Sequence, residues 1–479
     1  MKVALISEGC YPYVVGGVSS WIHSLIQSFP EVEFCLISIL GNRGQRGKFV
    51  YQLPENLTEI YEVYLQDLDW SDGKHRPSES DALCRFQLSQ EQYQAMSSLV
   101  FGENVDWEGV FRLFQSRRFS ISKFLMSPSF LNIVMEYYKI HFPNITFTDF
   151  LWTLRSLYLP LCFALSFHPP KADIYHCVAT GYSGVIGSMA KVLYPGSKML
   201  VSEHGIYTRE REEEIIKAKW VQGIYKDVWI QQFRKMSLCA YQHAEYVTAL
   251  FENASDLQRG LGCPPEKQLV TPNGIHVERL ANCPGKELGD DHINVGAILR
   301  ITPIKDVKTM INAFHFARKK NHRLRLWLIG PEDEDPQYAA ECHQLVESLN
   351  TPDVIFTGRV QITEYLGKMD FTILTSISEG QPLTILESYA AKTPCIATNV
   401  GNCWGLIHGE NGDTLGAAGI VTPVMNIAAI ADAILTLADS DELRRTMGEI
   451  GYQRLQRKYR IEYMVKQYRE LYEKLSPDR

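Results

Sequence analysis

The sequence predicts an α/β protein built from two doubly wound parallel-sheet domains. Short apolar runs of strand length alternate with stretches of helical period along most of the chain, the pattern of strands joined by crossover helices. That alternation breaks at Thr271-Pro-Asn-Gly-Ile-His276 and then begins again. Proline fixes one dihedral there and Asn-Gly tolerates positive φ, so the chain can change direction between two sheets. A length of 479 residues also exceeds what one hydrophobic core organises. The expected division is 1–275, then 276–458, then a terminal helix over 459–479.

Residues 2–7 form the first strand, Gly16-Gly17 a tight turn, and Val18 to Phe29 a helix with Trp21, Ile22, Leu25 and Ile26 on one side. Glu33 to Leu40 is the second strand. From about 53 to 167 the chain turns helical, aromatic and irregular, longer than a crossover requires, and reads as an insertion. Within it, Leu151 to Phe167 reads as a buried helix pair, since Arg155, Ser156 and Pro160 interrupt it and it falls short of the roughly 20 apolar residues that span a bilayer. Strand runs return at 173–178, 198–202, 245–250 and 268–270. In the second domain they are expected at 293–299, 324–329, 354–356, 371–374, 394–398 and 419–421.

Bulk composition narrows the function classes. Lys plus Arg total 48 against 55 Asp plus Glu, so no global basic field recruits nucleic acid. Eleven cysteines, with no C-x-x-C pair, argue against a disulfide framework and a zinc ribbon and fit a reducing cytoplasm. The apolar N-terminal stretch is too short for a secretory signal. Asp67-Leu-Asp69 has the D-x-D form of a diphosphate-binding metal site but lacks a flanking apolar strand, and is read as surface acid; no metal is expected. Arg112, Phe114, Arg117, Arg118 and Phe119 give the insertion a basic, aromatic stretch, read either as a solvated face or as a docking surface for membrane-bound partners.

Two motifs carry chemistry. Arg300-Ile-Thr-Pro-Ile-Lys305 follows the strand that opens the second domain and places two cations five residues apart, able to converge on a pyrophosphate. Glu379-Gly-Gln-Pro-Leu-Thr-Ile-Leu-Glu387 follows the strand at 371–374. Pro382 suits a helix's first turn, which leaves Glu379 in the loop to meet sugar hydroxyls and Glu387 inside the helix to accept ribose hydroxyls. Leu383 and Thr384 then offer backbone amides to phosphate. Gly330 closes the strand before it and would admit a nucleotide.

The second half resembles the nucleotide-binding domain of glycosyltransferase family 4, retaining enzymes of the GT-B fold in which two Rossmann-like domains face across a cleft. The segments Ser7-Glu-Gly-Cys-Tyr-Pro-Tyr-Val-Val-Gly-Gly-Val-Ser-Ser-Trp21 and Ser202-Glu-His-Gly-Ile-Tyr-Thr-Arg-Glu-Arg211 resemble a narrower group, the PelF-type transferases of Pel exopolysaccharide synthesis. The resemblance implies a UDP-sugar donor, an oligo- or polysaccharide acceptor, no cofactor and no metal. It implies that Arg300, Lys305, Glu379 and His204 serve the reaction, with Gly16, Gly17, Gly330, Val360, Leu383, Thr384 and Glu387 on the donor. His176 is a candidate for the acceptor groove, and the last helix is expected to cross back to the first domain. The implied setting is cytoplasmic, with a place at the inner membrane face and docking to inner-membrane synthase components left open. A non-catalytic scaffold of a polysaccharide synthase and a nucleotide-sugar epimerase share the fold and stay open as alternatives.

Overall fold

The computed structural model describes residues 1–66, 87–116, 119–287, 289–410 and 412–476. Asp67, Asp69, Arg117 and Arg118 lie outside the described residues. The chain divides into two compact units, residues 1–270 with 470–479 and residues 271–469.

Among the described residues the first unit is built on seven strands: β1 (Lys2–Glu8), β2 (Glu33–Leu40), β3 (Leu57–Tyr64), β4 (Ile174–Cys177), β5 (Lys198–Glu203), β6 (Tyr246–Ala249) and β7 (Gln268–Val270). They pair in parallel in the order β3-β2-β1-β4-β5-β6-β7. Strand β1 is central, with Leu5 in register with both Leu36 and His176. Its interior residues Val3 to Ile6 are wholly buried, as expected of a strand covered by helices on both faces.

Strand β3 corrects the sequence reading, which gave these residues to the insertion. Leu-Thr-Glu-Ile-Tyr-Glu-Val-Tyr carries acids because it lies at the sheet's edge, where Glu59 pairs with Lys2 at 2.9 Å and Glu62 accepts from Tyr64 at 2.5 Å. Half-exposed, it lacks the continuous apolar run that marks the central strands. The expected helix pair is likewise a single helix, Phe147–Ser166, with Pro160 inside it. Proline removes one backbone bond, and the burial of Phe150, Leu154, Leu157, Tyr158, Leu161 and Leu165 holds the helix across the gap. These side chains belong to a helical core that also holds Phe111, Phe124 and Phe130. Phe114 is buried in it, with Phe119 packed on Phe114 at 4.2 Å between ring centroids. That pair is therefore neither a solvated face nor a docking surface.

The turn expected at Gly16-Gly17 also differs. Gly16 is extended and precedes the helix Gly17–Ser28. The segment from Glu470 on belongs with the first unit, where the Tyr472 ring packs on Phe29 at 5.4 Å.

The second unit holds β8 (Ile293–Ile298), β9 (Leu324–Ile329), β10 (Val354–Gly358), β11 (Phe371–Leu374), β12 (Cys395–Thr398) and β13 (Gly419–Thr422). All pair in parallel, in the order β10-β9-β8-β11-β12-β13. Alternate residues face opposite sides: Phe371, Ile373 and Ile396 enter one core, and Leu374, Cys395 and Ala397 the other. Among the described residues, no helix is long and apolar enough to cross a membrane.

Among the described residues Arg454 is the largest fully buried side chain, and it ties the helix Asp441–Lys458 to the loop before β13. Its Nε donates to Asp413 Oδ2 at 2.8 Å and its Nη2 to the Gly416 carbonyl at 2.6 Å, while Nη1 reaches the Ile407 carbonyl at 2.9 Å. Removing the guanidinium would leave a buried carboxylate without its counter-charge. Arg454→Met is expected to cost about 3–5 kcal/mol in urea unfolding, and Arg454→Met with Asp413→Leu to recover much of that loss.

Candidate functional site

In an open parallel sheet, ligands collect beyond the carboxyl ends of the strands, at the point where the strand order reverses. In the second unit that point lies between β8 and β11, which are paired with Phe371 opposite Val295. Both sequence motifs leave from it. Arg300 and Lys305 follow β8, while Glu379 and Glu387 follow β11.

The two loops are bonded to each other. The Ile377 amide donates to the Ile304 carbonyl at 2.9 Å, and Thr375 Oγ1 donates to the Lys305 carbonyl at 2.9 Å. Lys305 Nζ pairs with Glu379 Oε1 at 2.5 Å, and Ser376 Oγ donates to the same oxygen at 2.5 Å. Both side chains of the pair are largely buried, with 17% and 12% of their surface exposed, so the contact is firmer than a surface ion pair. The sequence reading gave these two residues separate partners; the fold joins them. Ser376 and Thr375 were missed because a serine or threonine after a strand carries no signal until its neighbour loop is known.

Asp306, next to Lys305, has φ 47° and ψ 49°, a left-handed conformation that a non-glycine residue holds only under constraint from its surroundings. Arg300 is more exposed and pairs with Glu334 at 2.5 Å. Gly330 has φ +147°, and a Cβ there would meet the Leu299 carbonyl oxygen at 1.9 Å, so close backbone packing already requires this glycine. Val360 is half-buried just past β10. Leu383 and Thr384 are the first residues of the helix Leu383–Ala390, whose N-cap Pro382 supplies no side-chain cap. Their amides stay open to an anion. Gly401, with φ +51°, lies against the Glu379 and Gly380 carbonyls, where a Cβ would come within 2.3 Å of both oxygens.

Glu387 is half-buried inside that helix. Burial raises its carboxyl to about 7, opposed by the positive charge of Arg279. Arg279 escaped the sequence reading because it lies 108 positions from Glu387 with no motif around it.

In the first unit, His204 follows β5. Its ring sits edge-on to Trp21 with centroids 4.2 Å apart, and its Nε2 is buried without a hydrogen-bond partner. Burial lowers the imidazole to about 4, so it is neutral at physiological pH. His176 does not line a groove. It is wholly buried, with Nδ1 2.7 Å from Tyr472 Oη and Nε2 2.8 Å from Ser202 Oγ, both ring nitrogens occupied in holding the last helix to the sheet. Gly16 and Gly17 have open space where a Cβ would stand. Gly16 is extended, so neither backbone nor packing requires that glycine.

Residues 1–266, more than half of the chain, match the family described as a domain of unknown function, DUF3492. The chain belongs to this family. Residues 292–440, within the second unit of this DUF3492 protein, match the family model described as glycosyl transferases group 1. The N-acetyl-α-D-glucosaminyl L-malate synthase of Bacillus anthracis is 34% identical over 150 residues, 31% of this chain and 37% of that protein. The MMP α-(1→4)-mannosyltransferase of Mycolicibacterium hassiacum is 24% identical over 311 residues, 63% of this chain and 70% of that protein. The chain thus spans little more than a third of the first relative's length. The Anabaena protein HepE, solved in complex with UDP and glucose, superposes with a TM-score of 0.60 over 99% of this chain and all of its own, at 14% identity. Sucrose-phosphate synthase from Thermosynechococcus elongatus gives 0.62 over 99% and 98%, at 15% identity. At such identities the likeness is one of fold, and the fold is GT-B, two Rossmann-like parallel-sheet domains.

Two outcomes follow from the charges. Lys305→Ala strands Glu379 in a largely buried position, so it is expected to lower stability by about 3 kcal/mol, with Lys305→Ala and Glu379→Ala strongly non-additive in a double-mutant cycle followed by urea unfolding. Additive losses would show the pair to be idle. Glu387 binds a proton more tightly in the folded chain than in the unfolded one, so its burial is better tolerated at low pH and costs stability as pH rises through about 7. A ribose at Glu387, the partner the family resemblance implies, calls for the ionised form. Uridine binding, followed by NMR titration, should therefore tighten between pH 6 and pH 8 in the wild type and stay flat in Glu387→Gln.

Proposed function

We propose that this protein is a retaining glycosyltransferase that moves a hexose from a UDP-sugar to a growing polysaccharide without a metal ion. The observation that carries the reading is that both motifs leave the second sheet at its strand-order reversal, where Lys305 is bonded to Glu379. A departing nucleoside diphosphate gathers negative charge as the sugar leaves. Two cations and an uncapped helix start supply positive charge where that leaving group would lie, and fixed charges of this kind act most strongly at the transition state. Lys305 is held by Glu379 until a diphosphate shares its charge.

In this reading the acceptor hydroxyl attacks the anomeric carbon on the face from which the diphosphate leaves. The bond from that carbon to the acceptor oxygen forms as its bond to the diphosphate oxygen breaks, and the leaving oxygen takes the acceptor's proton. Glu379 orients the sugar hydroxyls, Glu387 the ribose, and Leu383 and Thr384 the phosphates; His204, neutral, orients the reactants. The structures of HepE with UDP and with UDP-glucose support a uridine nucleotide as donor. The segments 7–21 and 202–211 support the narrower reading of Pel-type exopolysaccharide growth, in a biofilm matrix. The ten described cysteines are all free thiols, which supports a cytoplasmic setting.

Thermal unfolding with UDP in the presence of a chelator tests the donor site, because a ligand that binds only the folded chain must stabilise it. The melting temperature is expected to rise, and Arg300→Ala to abolish most of the rise and slow UDP release from the preferred UDP-sugar by about 100-fold or more. Stabilisation that disappears with the chelator would overturn the metal-free reading. UDP binding with no sugar transfer to any acceptor would favour the scaffold.

A further inference from the structure

Two loops leave the carboxyl ends of β1 and β2 and are bonded to each other. The Val50 amide donates to the Pro12 carbonyl at 2.9 Å, the Phe49 ring packs edge-on to Tyr13 with centroids 5.5 Å apart, and Tyr51 Oη meets Ser20 Oγ at 3.3 Å. The rings of Tyr11, His23 and Tyr51 cluster beside them, Tyr51 lying 5.1 Å from each of the other two. On this fixed base the chain presents apolar side chains to solvent. Val14 and Val15 on the first loop are 39% and 51% exposed, and Phe49 and Val50 on the second are 39% and 54% exposed. Single exposed apolar residues are ordinary, but four on two joined loops make a patch, and a patch of this kind marks a surface that something apolar covers.

The charge carried by these loops has one sign. Arg43, Arg46 and Lys48 are exposed on the second loop, and neither Asp nor Glu occurs in residues 9–30 or 34–54. The neighbouring carboxylate Glu62, on the edge strand β3, is taken up by other donors: it accepts from the Tyr13 and Tyr64 hydroxyls and from the Gly47 amide. It reaches Arg46 only at 3.7 Å, and the Arg46 side chain stays 69% exposed. An apolar tip among cations complements anionic headgroups lying over acyl chains, because the surface potential draws the cations while the tip enters the edge of the hydrocarbon. A soluble polyanion would engage the cations alone and leave Val15 and Val50 in water.

We propose that these two loops dock the protein on an anionic bilayer, with Arg46 and Lys48 at the headgroups and Val15, Phe49 and Val50 in the interface. The inference involves neither nucleotide nor sugar, so it stands or fails apart from the transfer reading. The test is sedimentation of the full chain with vesicles of phosphatidylcholine alone and of a two-to-one mixture of phosphatidylcholine and phosphatidylglycerol. Two variants separate the contributions: Arg46→Gln with Lys48→Gln removes charge, and Val15→Ser with Val50→Ser removes apolar surface, all at exposed side chains, with the melting temperature checking that the fold is kept. The wild type is expected to bind the anionic vesicles about tenfold or more tightly than the neutral ones, the charge variant to lose most of that preference, and the serine variant to bind the anionic vesicles about tenfold more weakly with its cations in place. Equal binding of the wild type to both vesicles, or no binding to either, would overturn the proposal. Binding that falls with the charges but is untouched by the two serines would also overturn it, marking the loops as a site for a soluble polyanion.

Discussion

Every strand of both sheets runs parallel to its neighbours, and that constraint governs where chemistry can sit. Parallel pairing forces each strand to be followed by a crossover, so the loops leaving the carboxyl ends gather along one edge of each sheet. Where the order reverses, successive crossovers go to opposite faces and a crevice opens between two strands. In the second unit the crevice is bounded by β8 and β11, and the four charged residues of the two motifs leave from those strands. Side chains more than 70 positions apart thereby meet, as Lys305 and Glu379 do at 2.5 Å.

Those charges are costly to bury, and the loops show how they are tolerated. Glu379 accepts from both Lys305 and Ser376, and the Lys305 loop is fixed by backbone and hydroxyl bonds from residues 375 and 377. The pair compensates itself, so part of the cation's attraction for any anionic ligand is offset by its attraction for Glu379. Such a site trades affinity for order: the ammonium is already placed and loses little side-chain freedom on binding. Arg300, more exposed and held by the exposed Glu334, swings at less cost.

The second unit was the more legible in sequence, because its buried strands are continuous apolar runs and its motifs are short and contiguous. All six of its strands lie where the apolar runs put them, within a residue or two at the ends. The edge strand β3 escaped because its acids mask the alternation, and the continuation of Phe147–Ser166 through Pro160 escaped because tertiary packing overrode a local breaker. His176 was misplaced for a related reason. A histidine at a strand end has the same local signature whether its ring faces a groove or, as here, hydrogen-bonds to Tyr472 Oη, 296 positions away. Long-range partners of this kind are not encoded in any window of sequence.

Glycines separate backbone necessity from ligand access. Gly330 and Gly401 adopt positive φ and press against carbonyl oxygens, so their lack of a side chain is explained without any ligand. Gly16 is the opposite case: it is extended, nothing stands within 4 Å of its missing Cβ, and a residue with a better-defined backbone would cost less entropy on folding. A position that carries this entropic cost with no packing return is one where the folded chain alone does not account for the residue. Glu8, at the end of the preceding strand, is the contrasting case: its Oε1 accepts the Ser183 amide at 2.7 Å and so ties the helix that follows β4 to β1.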